Sequence, residues 1–220
     1  MEKHHKAAFE RISKERKQKI LEIGVEEFAN KGYKSANINI IAQRVGISVG
    51  LMYKYFNTKE DLFLTCVHHG MEILEGVLTE IMKSDEKLLI KAEKLIRETQ
   101  NYSKQNANYL KLYNEITCEN NSSHIEIMAR SMEGASSEIY TKAIADAQAK
   151  GDVRSDLDPK LFAFFLDNIL TALKFSYTCD YYRERFKIYA GVDILEDDEI
   201  VITQLLKFLE SAFTYSKGDI

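Results

Sequence analysis

Helical periodicity is the feature that most constrains the fold of this chain. Apolar residues recur every three to four positions along most of the sequence, and no alternating strand pattern or Asn-Gly hairpin signal interrupts them. The 220 residues include one proline, Pro159, and ten glycines, which argues against collagen-like, linker-rich and low-complexity classes. We therefore predict an all-α protein of about nine helices.

Several sequence features bear on compartment and on metal binding. The longest apolar run, residues 161–166, is far shorter than the roughly 20 residues needed to cross a bilayer, and the charged N-terminus lacks the apolar core of a signal peptide. Cys66, Cys118 and Cys179 form no CxxC or Cys/His cluster, which predicts neither a disulfide framework nor a zinc site. We expect a cytoplasmic chain with no membrane partner and no metal.

Charge is distributed unevenly along the chain. Residues 1–60 carry 12 Lys and Arg against 7 Asp and Glu, whereas residues 61–220 carry 18 against 27. A basic N-terminal part on an acidic body is what a protein needs if only that part meets a polyanion such as DNA. The alternative interpretation is a chance excess of cations on a solvated face.

Two short predicted helices flank the turn Gly46-Ile47-Ser48. The first spans residues 38–46, with Asn37 as its N-cap and Gly46 as its stop, and Ser48 caps the second, at residues 49–56. Two helices joined by such a turn form a helix-turn-helix, whose second helix can enter a major groove and read its bases. The same shape also occurs as a packing element without DNA, so shape alone leaves both interpretations open.

The residues in and around this turn carry a recognisable pattern. Its members are Gly32, Tyr33, Ala36, Asn37, Ile38, Ile41, Ala42, Val45, Gly46, Ile47, Ser48, Gly50, Met52, Tyr53, Tyr55, Phe56, Lys59, Glu60 and Leu62. At this spacing they closely resemble the N-terminal domain of TetR-family transcriptional regulators, over about residues 13–73. The resemblance implies a three-helix DNA-binding domain at residues 13–60, with its reading helix at about 48–55, and an effector-binding and dimerisation domain at residues 61–220. Residues 1–12 are expected to form a flexible arm, since nothing in them demands packing.

The resemblance also implies which residues contact DNA. Asn37, Tyr53 and Lys59 match positions that contact phosphate, and Lys59 lies at the start of a helix whose N–H groups also favour phosphate. The groove-facing set, together with Ser48 at the helix start, consists of Val49, Gly50, Leu51, Lys54 and Tyr55. Family members often have Lys at the position of Val49 and Thr or Ser at that of Leu51, so we predict that these apolar residues contact thymine methyl groups.

Three of these roles have structural alternatives. Val49 or Leu51 packs against the preceding helix in one alternative, and Tyr55 belongs to the core in another. The basic segment at residues 14–19 either adds phosphate contacts or forms a solvated helix start.

Seven side chains of the C-terminal part are candidates for an effector site. They are Tyr102, Tyr109, Tyr113, Met128, Met132, Phe165 and Asn168. Sites between helices are typically apolar with a few placed polar groups, and Met adapts to varied ligands. Since family members generally bind small effectors in this domain, the resemblance implies an effector here, which we expect to be largely apolar or aromatic. The alternative is that these aromatic residues are ordinary core.

No GxGxxG, P-loop, HExxH or GxSxG motif stands out, so we expect no catalytic residues and no cofactor. In the family, the helices that correspond to residues 159–177 and 198–215 pair across a two-fold axis, which implies a homodimer on a palindromic double-stranded DNA operator. We therefore predict a repressor that a small-molecule effector releases from DNA. Alternatives are an activator, a small-molecule-binding helical protein with a non-functional helix-turn-helix, and an α-helical enzyme.

Overall fold

The computed structural model describes residues 3–118 and 125–214, and every regular element in these ranges is helical. The helices are α1 (Ala7–Glu10), α2 (Lys14–Ser35), α3 (Ile38–Val45), α4 (Val49–Tyr55), α5 (Lys59–Lys83), α6 (Leu88–Gln105), α7 (Ala107–Cys118), α8 (Ile125–Lys150), α9 (Pro159–Thr178), α10 (Asp180–Ala190) and α11 (Asp198–Phe213), with a 3-10 turn at Asp193–Glu196. The all-α prediction is confirmed. None of these helices is long and apolar enough to cross a membrane.

The described part holds eleven α-helices where about nine were predicted. One addition, α1, is a single turn and is too short to show a helical period. The other, α10, has no fully buried residue, and its inner face is marked only by half-buried side chains such as Phe186. The last helix ends at Phe213, and its predicted end at residue 215 lies outside the described residues.

The chain divides into two compact units, each with its own apolar core. The first unit comprises Met1–Ile73 and Asn108–Met132, and the second comprises Leu74–Ala107 and Glu133–Ile220. Helices α5 and α8 each contribute residues to both units. The division between the two units therefore falls inside these two helices.

The core of the first unit is built on α2, α3, α4 and α5. Its fully buried side chains include Ile20, Phe28, Ile41, Met52, Phe56, Leu62 and Cys66. Helices α2 and α5 approach closely at Gly24, where an added Cβ would lie 3.0 Å from the Sγ of Cys66. Burial raises the pKa of the Cys66 thiol, which keeps this sulfur protonated and unreactive.

The second unit is organised around α9. This helix packs against α6 and α10, and α6 also contacts α11. Asp158 caps the start of α9 by accepting hydrogen bonds from the backbone N–H groups of Lys160 and Leu161, with Pro159 in the first turn. On the surface, the Arg97 guanidinium of α6 donates to both carboxylate oxygens of Glu199 of α11, at 2.6 and 3.1 Å.

In place of the expected flexible arm, the structure has α1 docked on the first unit. Phe9 is only 4% exposed, and its ring centroid lies 4.9 Å from that of Phe56 and 6.0 Å from that of Tyr55. The backbone N–H of Lys6 donates to the Tyr55 carbonyl, at 2.8 Å, and the Lys6 Nζ donates to the Tyr53 carbonyl, also at 2.8 Å. Burial of the Phe9 ring and the two hydrogen bonds of Lys6 together oppose the entropy lost in ordering this short segment.

Replacing Phe9 tests whether this segment is docked in solution. Phe9→Ala is expected to lower the free energy of unfolding by about 3 kcal/mol, because truncating a core Phe removes buried area and leaves a cavity. Urea unfolding followed by circular dichroism measures the change. Ile188→Ala, at a position that is 82% exposed, is the control and should change stability by less than about 0.5 kcal/mol. An unchanged stability for Phe9→Ala would show that residues 3–12 are undocked.

Candidate nucleic-acid interface

The turn between α3 and α4 has the backbone geometry of a helix-turn-helix. Gly46 adopts a left-handed conformation with φ of 84°, and its N–H donates to the carbonyls of Ala42 and Gln43, at 3.0 and 3.1 Å. The Ser48 side chain then accepts a hydrogen bond from the Leu51 N–H, at 3.2 Å, and caps α4. The predicted caps, the stop and the helix-turn-helix are all confirmed.

The reading helix α4 has a buried face and an outward face. Met52 is fully buried, as is Phe56 directly after the helix. Gly50, Tyr53 and Lys54 are exposed, with Tyr53 at 44%, as is Ser48 at the helix start.

Val49 and Leu51 lie between these two faces. Both are half-buried and pack partly against the core of the first unit. The structure therefore gives both residues a partial packing role, where the alternative interpretation assigned packing to one of them. Part of each side chain still remains accessible for contact with a partner.

Tyr55 does not belong to the outward face. It is 4% exposed and packs among aromatic rings, with its centroid 6.0 Å from that of Phe9 and 6.5 Å from that of Phe56. A ring held in this way cannot reach a DNA groove. The core role, which was the alternative interpretation, replaces the predicted groove contact.

Asn37 is exposed and firmly positioned at the start of α3. Its side-chain oxygen accepts a hydrogen bond from the Asn39 N–H, at 2.9 Å, and its own N–H donates to the buried Glu27 carboxylate, at 3.3 Å. Because capping uses the oxygen of the carboxamide, its NH2 group is the part that can donate to an anion.

Lys59 is largely engaged in holding the end of α2. Its Nζ donates to the carbonyls of Lys34 and Ala36, at 3.0 and 3.2 Å, and lies 4.8 Å from the centroid of the Tyr33 ring. An ammonium group has three donors, so one remains for a phosphate. Sequence reasoning had assigned all of this side chain to DNA and missed its capping role.

The start of α5 is capped by the side chains of Thr58 and Asp61. The Asp61 carboxylate accepts hydrogen bonds from the N–H groups of Asn57 and Thr58, at 3.0 and 3.2 Å. The Thr58 hydroxyl accepts from the Asp61 N–H, at 3.0 Å, which completes the reciprocal capping pattern. These contacts occupy the N–H groups of Asn57, Thr58 and Asp61, and the phosphate contact at the start of this helix stays a prediction.

The basic segment at residues 14–19 lies far from Asn37 and Lys59 along α2. Lys59 contacts the carboxyl end of α2, whereas Lys14 begins the helix, about 30 Å away along its axis. The segment therefore does not extend the phosphate contacts of Asn37 and Lys59, and both interpretations of it, phosphate contacts and a solvated helix start, stay open.

Sequence reasoning missed a residue that reaches this region from α7. The Glu115 carboxylate accepts a hydrogen bond from the Tyr33 N–H, at 2.6 Å. Tyr33 follows Gly32, whose φ of 71° ends the regular part of α2 just before Asn37. No local signal could have identified Glu115, because its partner lies 82 residues away in the sequence.

The effector candidates are divided between the two units. Met132 is buried in the core of the first unit, and Tyr109 and Tyr113 are half-buried against the same core. Burial raises the pKa of Tyr109 to about 12. Its ring lies so close to α5 that a Cβ added at Gly70 would come within 2.5 Å of it.

The other candidates are not grouped with these three. Tyr102 is buried in α6 of the second unit, whereas Phe165 and Asn168 lie on an exposed face of α9. The Asn168 amide donates to the Phe164 carbonyl of its own helix, at 2.7 Å. The side chain of Met128 lies outside the described residues.

The contact between α7 and Tyr33 can be tested by two substitutions at one position. Glu115→Ala is expected to lower the free energy of unfolding by about 1–3 kcal/mol, because it removes the acceptor of a half-buried N–H. Glu115→Gln keeps an acceptor oxygen and should lose much less. Urea unfolding measures both variants, and equal losses would show that the hydrogen bond to Tyr33 is not the cause.

Comparison with known proteins extends beyond the helix-turn-helix. The sequence model of the bacterial regulatory proteins of the tetR family matches residues 20–66. The HTH-type transcriptional regulator YuxN of Bacillus subtilis is 39% identical over 56 residues, which are 26% of this chain and 19% of that protein. YhgD, an HTH-type transcriptional regulator of the same organism, is 22% identical over 166 residues, 76% of this chain and 86% of that protein. The chain thus aligns with about a fifth of YuxN and with most of YhgD.

Solved structures share the fold over nearly the whole chain. A TetR family transcriptional regulator from Chloroflexus aurantiacus has a TM-score of 0.65 at 21% identity, covering 96% of this chain and 99% of its own. FadR from Bacillus subtilis, in complex with stearoyl-CoA, has a TM-score of 0.71 at 16% identity, over 90% and 99%. AibR, in complex with isovaleryl coenzyme A and operator DNA, has a TM-score of 0.64 at 14% identity, over 88% and 97%. The tetR-family sequence model thus matches the part of the chain that holds the helix-turn-helix, and the solved structures share the fold of the chain over nearly its whole length.

Proposed function

We propose that the chain is a homodimeric repressor that binds a palindromic operator through α3 and α4 and leaves it when a small-molecule effector binds. The observation that carries this proposal is the outward face of α4. Ser48, Gly50, Tyr53 and Lys54 are exposed there, while the buried Met52 holds the helix in place. A short helix that is anchored on one side and polar on the other suits insertion into a major groove.

The side chains around α4 would make two kinds of contact with DNA, to phosphates and to bases. Asn37, Tyr53 and Lys59 supply an amide, a hydroxyl and an ammonium donor for phosphates, which fix the position of the protein on the duplex. Lys54 can donate to guanine, whereas the accessible parts of Val49 and Leu51 are apolar and suit thymine methyl groups. The operator half-site is therefore expected to contain thymine where these two residues meet the groove.

The proposed dimer contact is the exposed apolar surface of α9 and α11. Leu161, Phe164 and Phe165 of α9 are about 60% exposed, as is Phe208 of α11. Aromatic patches of this kind are rare on monomers and are normally covered by a partner. A second copy of the chain would cover them across a two-fold axis, and the two reading helices would then require a palindromic operator.

The proposed effector signal passes through α7. This helix carries Tyr109 and Tyr113, which are effector candidates, and Glu115, which accepts the hydrogen bond from Tyr33. An effector that shifts α7 would move Glu115 and, with it, the turn that precedes Asn37. For release, the effector must bind more tightly to the DNA-free state of the protein than to its DNA-binding state, typically by about 1–3 kcal/mol.

The proposed effector class is acyl-CoA. FadR and AibR share the fold of this chain and were crystallised with stearoyl-CoA and isovaleryl coenzyme A. Apolar and aromatic candidates such as Tyr113 and Met132 suit an acyl chain, since burying each CH2 group is worth about 0.8 kcal/mol. Residues 61–220 would then form the effector-binding and dimerisation domain.

The DNA-binding part of the proposal is tested by selecting duplexes from a random library with the purified full chain. A palindrome should be enriched, and Tyr53→Phe should weaken binding to it at least about tenfold, because a hydrogen bond to a charged group contributes about 1.5–3 kcal/mol. Fluorescence anisotropy at about 150 mM salt measures the affinity.

Tyr55→Phe is the matched control, since Tyr55 is buried beside Phe9 and should not contact DNA. Equal losses for the two tyrosines would contradict the assigned outward face. Binding to the selected duplex no tighter than to random duplex would favour the alternative of a small-molecule-binding helical protein with a non-functional helix-turn-helix.

The effector part is tested by adding stearoyl-CoA or isovaleryl coenzyme A to the protein–operator complex, with free coenzyme A as the control. At least one of the two thioesters should weaken operator binding by about 5- to 150-fold, the usual range of allosteric coupling. An operator affinity that neither thioester changes would contradict the acyl-CoA proposal.

A further inference from the structure

The first unit contains a cavity of about 630 Å³ that no residue of the reading helix lines. The N-terminal segment, the start of α2 and the middle of α5 form its walls. Four of the five histidines of the chain line it, together with three lysines. The histidines are His4, His5, His68 and His69, and the lysines are Lys3, Lys14 and Lys17.

The residues that line this cavity do not include the proposed phosphate contacts Asn37, Tyr53 and Lys59. His69 lies ten residues beyond Lys59 in α5, which corresponds to about 15 Å along the helix axis. Lys14 and Lys17 lie at the opposite end of α2 from the carbonyls that Lys59 contacts. A phosphate held by Asn37 and Lys59 therefore does not account for this concentration of cations.

The cavity is only partly neutralised by carboxylates. Glu10 lies 2.5 Å from the Lys3 ammonium and 3.4 Å from the His5 Nε2 atom, and Glu72 lies 4.0 Å from the His69 Nδ1 atom. Within the described ranges, no carboxylate lies within ion-pair distance of Lys14 or Lys17. An excess of positive charge therefore remains on the α2 side of the cavity.

We propose that this cavity binds a small multivalent anion that carries phosphate groups. Its volume falls within the range of about 300–1,000 Å³ that is common for small-molecule sites. Lysine ammonium groups bind phosphate as point charges, and protonated histidines add further donors. Phe9 and Leu21 line the same cavity and offer apolar surface to an organic part of the ligand.

A metal ion does not fit these residues as well as an anion does. Among the described residues, no group of three or more histidine, cysteine or carboxylate side chains is arranged to hold a metal. Instead, the histidines are interspersed with lysines, which repel cations. The composition of the cavity walls thus selects for negative charge.

The histidines make the expected affinity depend on pH. The ring centroids of His4 and His68 are only 4.9 Å apart, so two protonated rings repel each other unless an anion lies beside them. Around them lie Lys3, His5 and Glu10 of the N-terminal segment, Lys14 and Lys17 of α2, and His69 and Glu72 of α5. Histidine ordinarily titrates near pH 6.5, whereas lysine and glutamate keep their charges between pH 6 and 8. A bound anion favours the protonated rings, so binding strengthens as the pH falls.

The experiment uses inorganic pyrophosphate as the probe and isothermal titration calorimetry of the full chain at pH 6 and pH 8. We expect a Kd below about 1 mM at pH 6 and binding at least about tenfold weaker at pH 8. Lys14→Gln/Lys17→Gln should weaken binding at pH 6 at least about tenfold. His4→Gln/His68→Gln should remove most of the pH dependence. Thermal melting by circular dichroism establishes that each variant is folded. If the histidine double variant does not fold, the lysine double variant still tests the proposal.

Lys142→Gln supplies the matched control, because Lys142 lies on α8 of the second unit, is 76% exposed and does not line this cavity. It should bind pyrophosphate as the unaltered chain does. Absence of binding, binding that does not change with pH, or equal binding by the lysine-pair variant would overturn the proposal. A variant that alters only the salt dependence of DNA binding would show that the cavity contacts the DNA backbone, which also overturns it. Because pyrophosphate binding is measured without DNA, its outcome is separate from that of the proposed repressor function.

Discussion

Burial of the inner face of α4 is the interaction on which the DNA-binding surface depends. A helix of seven residues is not stable alone in water, so packing and capping must hold it. Met52 and Phe56 are fully buried in the core of the first unit, and Ser48 caps the start of the helix. These anchors set the rotation of α4 about its axis. That rotation, in turn, exposes Tyr53 and buries Tyr55.

The core that holds α4 extends well beyond the three helices of the helix-turn-helix domain. Phe9 of α1 joins it from the N-terminal side, and Leu112 of α7 joins it fully buried from the distant part of the sequence. Tyr109 packs against α5 at Gly70, and Glu115 contacts Tyr33. Three effector candidates, Tyr109, Tyr113 and Met132, therefore share one packed unit with the DNA-contact candidates, and a shift of one helix in this unit displaces the helices packed against it.

Much of the fold could be read from local patterns. The caps at Asn37, Ser48 and Asp158, and the stop at Gly46, depend on hydrogen bonds to residues two to four positions away, so the sequence contains both partners within one turn. The long helices carry apolar stripes of helical period for the same reason. The pattern is weak for α10, which has no fully buried residue, and cannot show in α1, which is only four residues long. Of the residues predicted to face the groove, Val49 and Leu51 are half-buried and Tyr55 is buried, because apolar and aromatic residues beside a groove and in a core look alike in sequence.

The sequence by itself determined that this chain is all-α, where its helix-turn-helix lies, and which short polar residues cap its helices. Tertiary structure alone decided that Phe9 docks α1, that Lys59 holds the end of α2, and that Glu115 reaches Tyr33. It also brought His4 and His5 to the same cavity as His68 and His69. The physical reason is the separation along the sequence between the residues that make each contact. A cap or a helical stripe is encoded within a few residues, whereas a contact between distant segments exists only after the core has brought them together.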